Sequence, residues 1–148
     1  YPEIVEWAGK SRLDEIQAAM LNVKWKYYDQ LLARRKEIAN MYCKGLQGLQ
    51  LKLPEYGEGD VIQEFIIRVH DSETREALKK YMDEKGIEVL IREVVPNHKV
   101  KNLGLEHFNL PITESISKDA VRLPCYSELR NDEIDFICDN IKEFYAKG

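Results

Sequence analysis

The chain has 148 residues, 44% apolar and 32% charged, with 22 basic against 26 acidic side chains and a formal charge of −4. That is enough for one soluble domain with its own core, and the mixing of charges leaves no extended positive field for nucleic acid or an anionic membrane. No run approaches the roughly 18 apolar residues of a membrane span and no signal-type segment is present, which predicts a cytoplasmic protein, while a start at Tyr1 fits a piece of a longer one.

Ser11 and Asp14 stand at capping-box spacing, with Asp in place of the usual Glu or Gln, so a helix is predicted from Arg12. Leu13, Ile16, Met20, Val23, Tyr27 and Leu31 form one stripe at spacings of three and four. Ile38, Met41 and Tyr42 extend it toward Gly45 and Gly48, which can end it. Taken as one helix from Arg12 to Leu46 it would be roughly 50 Å long, against about 40 Å for the breadth of a compact chain of this size. Such a helix must bend or overhang. Its first half carries a second apolar set on another side, Leu21, Trp25, Tyr28 and Leu32, while Arg34, Arg35, Lys36 and Glu37 make the second half polar. The first half is built to touch two things.

The alternating runs "LQLKL" (49–53) and "VIQEFIIRV" (61–69) predict strands. Ser72 can cap a helix from Glu73 to Lys85, with Ala77, Leu78, Tyr81 and Met82 inward and Gly86 as its stop, before a third strand-like run, "IEVLI" (87–91). Strand, helix, strand suits a right-handed crossover between parallel strands. A polar loop region follows (94–111), then a short helix from about Ile112 to Ala120 and a short strand from Val121 to Leu123. The run "NDEIDFICDNIKEFY" makes a last helix with Ile134, Ile137, Cys138, Ile141 and Phe144 on one face. Phe65, Ile67, Leu78 and Ile137 are expected in the core.

Cys43, Cys125 and Cys138 are odd in number and unpaired in any C-x-x-C spacing, so they read as reduced core thiols. Asp132, Asp135, Asp139 and Glu143 recur along the outward side of the last helix and read as a solvated face, with no neighbour to split their pKa values for acid–base work. His70, His98 and His107 lack metal-ligand spacing, so no metal site is predicted. The loop with Arg92, Glu93, Asn97 and His98 gathers hydrogen-bonding side chains directly after a strand, where binding groups often sit. A polar ligand site and a surface connection held by local hydrogen bonds are both open there.

The helix opening "SRLDEIQAAML", then "RRKEIANMY", "FIIRV", "YMDEKGIEV", "VPNH" and the ending "VRLPCYSELRNDEIDFICDNIKEFY" together resemble the C-terminal part of the DegT/DnrJ/EryC1/StrS sugar aminotransferases. The resemblance covers essentially the whole chain. It implies an α+β fold in which a long N-terminal helix precedes a small sheet of about three to four strands covered by helices, like the C-terminal small domain of fold type I pyridoxal phosphate enzymes. Residues 1–47 would then be a connecting helix toward a missing cofactor domain or partner, and 48–148 the small domain. The resemblance also implies amino transfer, usually from glutamate, to a keto group on a nucleotide-linked sugar, in dimers with shared sites. Pyridoxal phosphate belongs to the full-length family, and its Schiff-base lysine would lie before Tyr1. This chain alone is therefore expected to bind no cofactor, to hold no catalytic residue and not to transaminate.

Residue by residue, Lys10 stands where the family commonly has an Asn that reaches the cofactor phosphate of the neighbouring subunit, which makes Lys10 the candidate cofactor contact. Arg92, Asn97 and His98 are the candidate substrate contacts. Gln63 replaces a frequent His, and Arg92 with Glu93 replace a frequent His-Tyr pair, while Pro96 and His98 are retained. The stretch "KLPEYGEG" (52–59) resembles a cofactor-lysine region only superficially, because Lys52 lies between leucines in a strand pattern and points to solvent. Two functions follow: part of a nucleotide-sugar aminotransferase, or a stand-alone binding or oligomerisation domain derived from that family. In either, Leu21, Trp25, Tyr28 and Leu32 are expected to meet a second chain or domain.

Overall fold

The computed structural model describes residues 12–92 and 94–147. Lys10 and Glu93 lie outside the described residues. Among those described are five α-helices, α1 (Glu15–Trp25), α2 (Tyr28–Gly45), α3 (Ser72–Glu84), α4 (Pro111–Asp119) and α5 (Asn131–Lys147), and two strands, β1 (Phe65–Arg68) and β2 (Ala120–Leu123). The class is α+β.

The single long helix is in fact two. Lys26 N–H bonds to Val23 O at 3.3 Å and Tyr27 N–H to Lys24 O at 3.0 Å, a tightening to three-residue turns, and Tyr27 leaves helical geometry at φ −110°, ψ 3°. Trp25, Tyr27 and Tyr28 are weak helix formers, and Asp29 favours a fresh N-terminus, so the chain restarts there although the apolar period runs on. The start also moves: Asp14 is the cap, with its N–H bonded to Gln17 Oε1 at 3.3 Å. Likewise Asp71, not Ser72, caps α3, accepting from Thr74 N–H at 2.8 Å.

The sheet holds two strands where three to four were expected. β1 and β2 pair antiparallel, Phe65 opposite Leu123 and Arg68 opposite Ala120. Each flank adds one bridge, Lys52 with Arg68 and Leu90 with Arg122, both antiparallel. The crossover through α3 thus joins two segments that run the same way with β2 between them, rather than two neighbours. "LQLKL" bends at residues 49–51, where Leu51 N–H bonds to Leu49 O at 2.8 Å, and like "IEVLI" it meets the sheet at a single pair, too little to count as a strand.

Period-two alternation turns Phe65, Ile67, Val121 and Leu123 to one side, where all four are buried. Ile38 and Tyr42 of α2, Leu78 and Met82 of α3, and Ile134, Ile137 and Ile141 of α5 close over them. The Tyr42 ring lies 4.9 Å from that of Phe65, and its hydroxyl donates to Pro124 O at 2.8 Å. At Gly45 the backbones of α2 and α5 come so close that a Cβ would stand 2.6 Å from Cys138 Sγ. The arginines expected to make α2 merely polar tie it down: Arg34 donates to Leu129 O at 2.5 Å, and Arg35 to Gln63 O at 2.7 Å and Cys125 O at 3.0 Å.

α1 shares none of this. It buries no residue, and Ile16 is 76% and Trp25 73% exposed.

Candidate functional site

The outward face of the sheet carries Ile66, Arg68, Ala120 and Arg122, the residues between the buried ones. The 94–110 segment and α4 rise beside it and leave a cavity of about 630 Å³. Ile66 and Ala120 contribute its floor, Phe108, Leu110 and Ile116 its apolar walls, and Arg92, Asn97 and Arg122 its polar groups. No lysine and no carboxylate of the described residues lines it.

Arg92, Asn97 and His98 all line this one cavity, but they differ in what they can offer a ligand. Arg92 and Asn97 are exposed, and Arg92 has no ion-pair partner among the described residues. His98 is 3% exposed, with Nε2 3.0 Å from Glu114 Oε1. It belongs to the wall rather than to the rim. Its place follows from Pro96, which is buried and extended at φ −64°, ψ 150° and sets up the short 3₁₀ turn Asn97–Lys99. Lys99 Nζ joins at 3.2 Å from the same Glu114 oxygen, and the two hydrogen bonds, that from His98 first, hold the Glu114 carboxyl below its ordinary range.

Sequence reasoning missed Arg122, Phe108 and Glu114. Arg122 had a signal: the alternation of Val121 and Leu123 puts it on the opposite face, where its Nη1 pairs with Glu64 Oε1 at 3.0 Å. Phe108 and Glu114 had none, because their roles depend on how a loop folds back over the sheet. The three cysteines are free, and burial raises each thiol, Cys138 to about 11, so none is a thiolate nucleophile at neutral pH. Among the described residues no group of His, Cys, Asp and Glu converges on a metal position. Lys52 is exposed, its backbone spent on the bridge to Arg68.

Two guanidinium groups and an amide above an apolar floor suit a ligand with an anionic or hydroxyl-rich edge and a less polar face. This arrangement does not fit pyridoxal phosphate, which needs a lysine for its aldehyde and an acid for its ring nitrogen, since neither lines the cavity among the described residues.

A protein-family model described as the DegT/DnrJ/EryC1/StrS aminotransferase family matches residues 4–142. The chain is similar to the dTDP-3-amino-3,6-dideoxy-alpha-D-galactopyranose transaminase of Aneurinibacillus thermoaerophilus, 32% identical over 137 residues that cover 90% of this chain and 37% of that protein. It is also similar to a pleiotropic regulatory protein of Geobacillus stearothermophilus, 31% identical over 91% of this chain and 38% of that protein. Among solved structures, S. venezuelae DesV in complex with a ketimine intermediate superposes with a TM-score of 0.80 at 29% identity, covering 90% of this chain and 37% of that one. The chain spans a little over a third of the length of the relatives it matches.

Proposed function

The chain belongs to the DegT/DnrJ/EryC1/StrS aminotransferase family, and on that premise we propose that it forms the C-terminal portion of a pyridoxal phosphate-dependent enzyme that aminates a nucleotide-linked keto sugar. The observation that carries the reading is the coverage: nearly all of this chain aligns with only 37% of a sugar transaminase, its C-terminal portion. Residues 1–47 are then the connection toward the cofactor domain, with α2 as the anchor on the small α+β unit of 48–148. α1, with apolar residues on two sides and none buried, is the part that meets the absent domain or a second subunit. Glutamate is the amino donor in this reading, and the product is an amino sugar for a surface polysaccharide or a secondary metabolite.

Within such an enzyme the residues described here bind and orient. When bound elsewhere in the protein, pyridoxal phosphate supplies the electron sink for amino transfer. Arg92 and Asn97 offer donors to the charged or hydroxyl-bearing part of the nucleotide sugar, and Ile66, Phe108 and Ile116 take its less polar face. Lys10 keeps a cation where relatives place an amide, enough for attraction to a phosphate but without the directional contact.

A second reading is a stand-alone domain that associates through α1 and does no chemistry. It is favoured by the exposed Trp25 and Tyr28, stacked on each other at 5.1 Å and 8° outside the core cluster. The encoding frame upstream of Tyr1 separates the two. If that frame carries a cofactor lysine and its product shows an imine absorbance with pyridoxal phosphate and transfers nitrogen from glutamate, the enzyme reading holds. A product that does neither removes it.

A further inference from the structure

The cavity wall formed by residues 94–110 is bonded mostly to itself. Lys99 N–H reaches Pro96 O at 2.8 Å, Val100 N–H reaches Asn97 O at 3.1 Å, Phe108 N–H reaches Leu105 O at 3.1 Å, and Asn102 N–H reaches Glu106 Oε1 at 3.2 Å. Apart from the chain's entry into α4, where Leu110 O accepts from Glu114 N–H, the bonds that leave this segment among the described residues end on one carboxylate oxygen. That is Glu114 Oε1, 3.0 Å from His98 Nε2 and 3.2 Å from Lys99 Nζ.

The helix that carries Glu114 is itself well fastened. Asp119 accepts from Arg68 Nε at 2.8 Å and Nη2 at 2.6 Å, Ser115 Oγ lies 3.1 Å from the same Nη2, and Ser117 O accepts from Arg75 Nη1 at 2.8 Å. Both arginines come from elements of the packed core, β1 and α3. A post fixed to the core therefore supplies the one hydrogen-bonding anchor of a wall that is otherwise held by burial of Pro96, His98 and Leu103.

We propose that Glu114 is a positioning residue of the ligand cavity: through His98 and Lys99 it sets where the Asn97–Lys99 turn stands, and so where Asn97 presents its amide. The inference rests on the proposed function in taking this cavity as the place where a nucleotide-bearing ligand binds. His98 then serves the ligand at one remove, by keeping its neighbour in place. The carboxylate is suited to this task because one oxygen receives both donors. Its side chain is 31% exposed and stands outside the core cluster, so its removal is expected to act on the wall and not on the packed unit.

The test compares the parent chain with Glu114→Ala and Glu114→Gln by amide hydrogen exchange at residues 97–100, titration with thymidine diphosphate, and melting temperature. Loss of a charge-assisted pair of hydrogen bonds predicts exchange faster by about tenfold and thymidine diphosphate affinity weaker by about tenfold for Glu114→Ala, with melting unchanged. The amide oxygen of Glu114→Gln accepts from the same two donors, so it restores both quantities to within about threefold of the parent. Unchanged exchange at residues 97–100 in Glu114→Ala overturns the proposal, as does parental affinity in that variant. A parent that takes no thymidine diphosphate defeats the ligand assignment of the cavity, while the exchange measurement still decides whether Glu114 holds the turn.

Discussion

α1 and α5 both carry apolar residues at helical spacing, yet they end in opposite environments. α5 buries Ile134, Ile137, Cys138 and Ile141 and leaves Asp132, Asp135 and Asp139 in water. α1 buries nothing, and Ile16, Met20, Leu21 and Val23 are each more than half exposed. A periodic apolar stripe says that a helix has a partner; it does not say that the partner is in the same chain. Covering such side chains is worth about 1.5–3 kcal/mol each. An isolated helix shorter than roughly 12 residues is marginal in water, so the 11 residues of α1 depend on what covers them.

The contrast is sharpest at Phe65, whose ring is fully buried between β2 and Tyr42. Phe65→Ala is expected to cost about 3–5 kcal/mol, read as a drop in the urea midpoint of unfolding. Gly45→Ala drives a methyl to within 2.6 Å of Cys138 Sγ and is expected to cost about 1–3 kcal/mol. Adding Cys138→Ala recovers part of that loss, because the clash is with the thiol. If Gly45→Ala melts like the parent, α2 and α5 are not packed as closely as described.

Acid stability probes the α3 cap. The Thr74 backbone N–H, and then His70, hold the Asp71 carboxyl down at about 2. A folded-state pKa below the unfolded one gives stability that is fully present above the unfolded value, about 3.9, and lost as pH falls toward the folded one. Asp71→Asn removes that titration, so its melting temperature falls less steeply than the parent's between about pH 4 and pH 2. Parallel acid arms for the two proteins would assign the cap no part in it. The smallest effect on stability belongs to the exposed aromatic pair at the α1–α2 junction: Trp25→Gln with Tyr28→Gln is expected to shift unfolding by no more than about 0.5 kcal/mol, since both rings are exposed and neither belongs to the core cluster.

What was legible in the sequence is what local chemistry decides. α3 and α5 follow from an apolar face at helical spacing, α3 stopped at Gly86 as expected although its cap is Asp71 and not Ser72, and Phe65, Ile67, Leu78 and Ile137 are buried as their patterns predict. The break at Lys26 and Tyr27 was hidden because the apolar period continues across it. The outer strands were over-read because alternation in "LQLKL" and "IEVLI" speaks to extension, and pairing depends on neighbours. Arg34 and Arg35 look like a solvated face until the carbonyls of Leu129, Gln63 and Cys125 are brought to them. Arg92, Asn97 and His98 could be grouped because they share one loop. That His98 turns into the wall depends on Glu114, 16 residues away on another element.

The central claim about this molecule is that α1 is an interaction helix on an otherwise self-sufficient unit. Analytical ultracentrifugation of the chain and of the Trp25→Gln, Tyr28→Gln variant, each with its unfolding curve, tests this directly. The account predicts that the chain associates with rising concentration and that the variant stays monomeric with an unchanged unfolding midpoint. A chain that remains monomeric at high concentration, or a variant that unfolds, would contradict it.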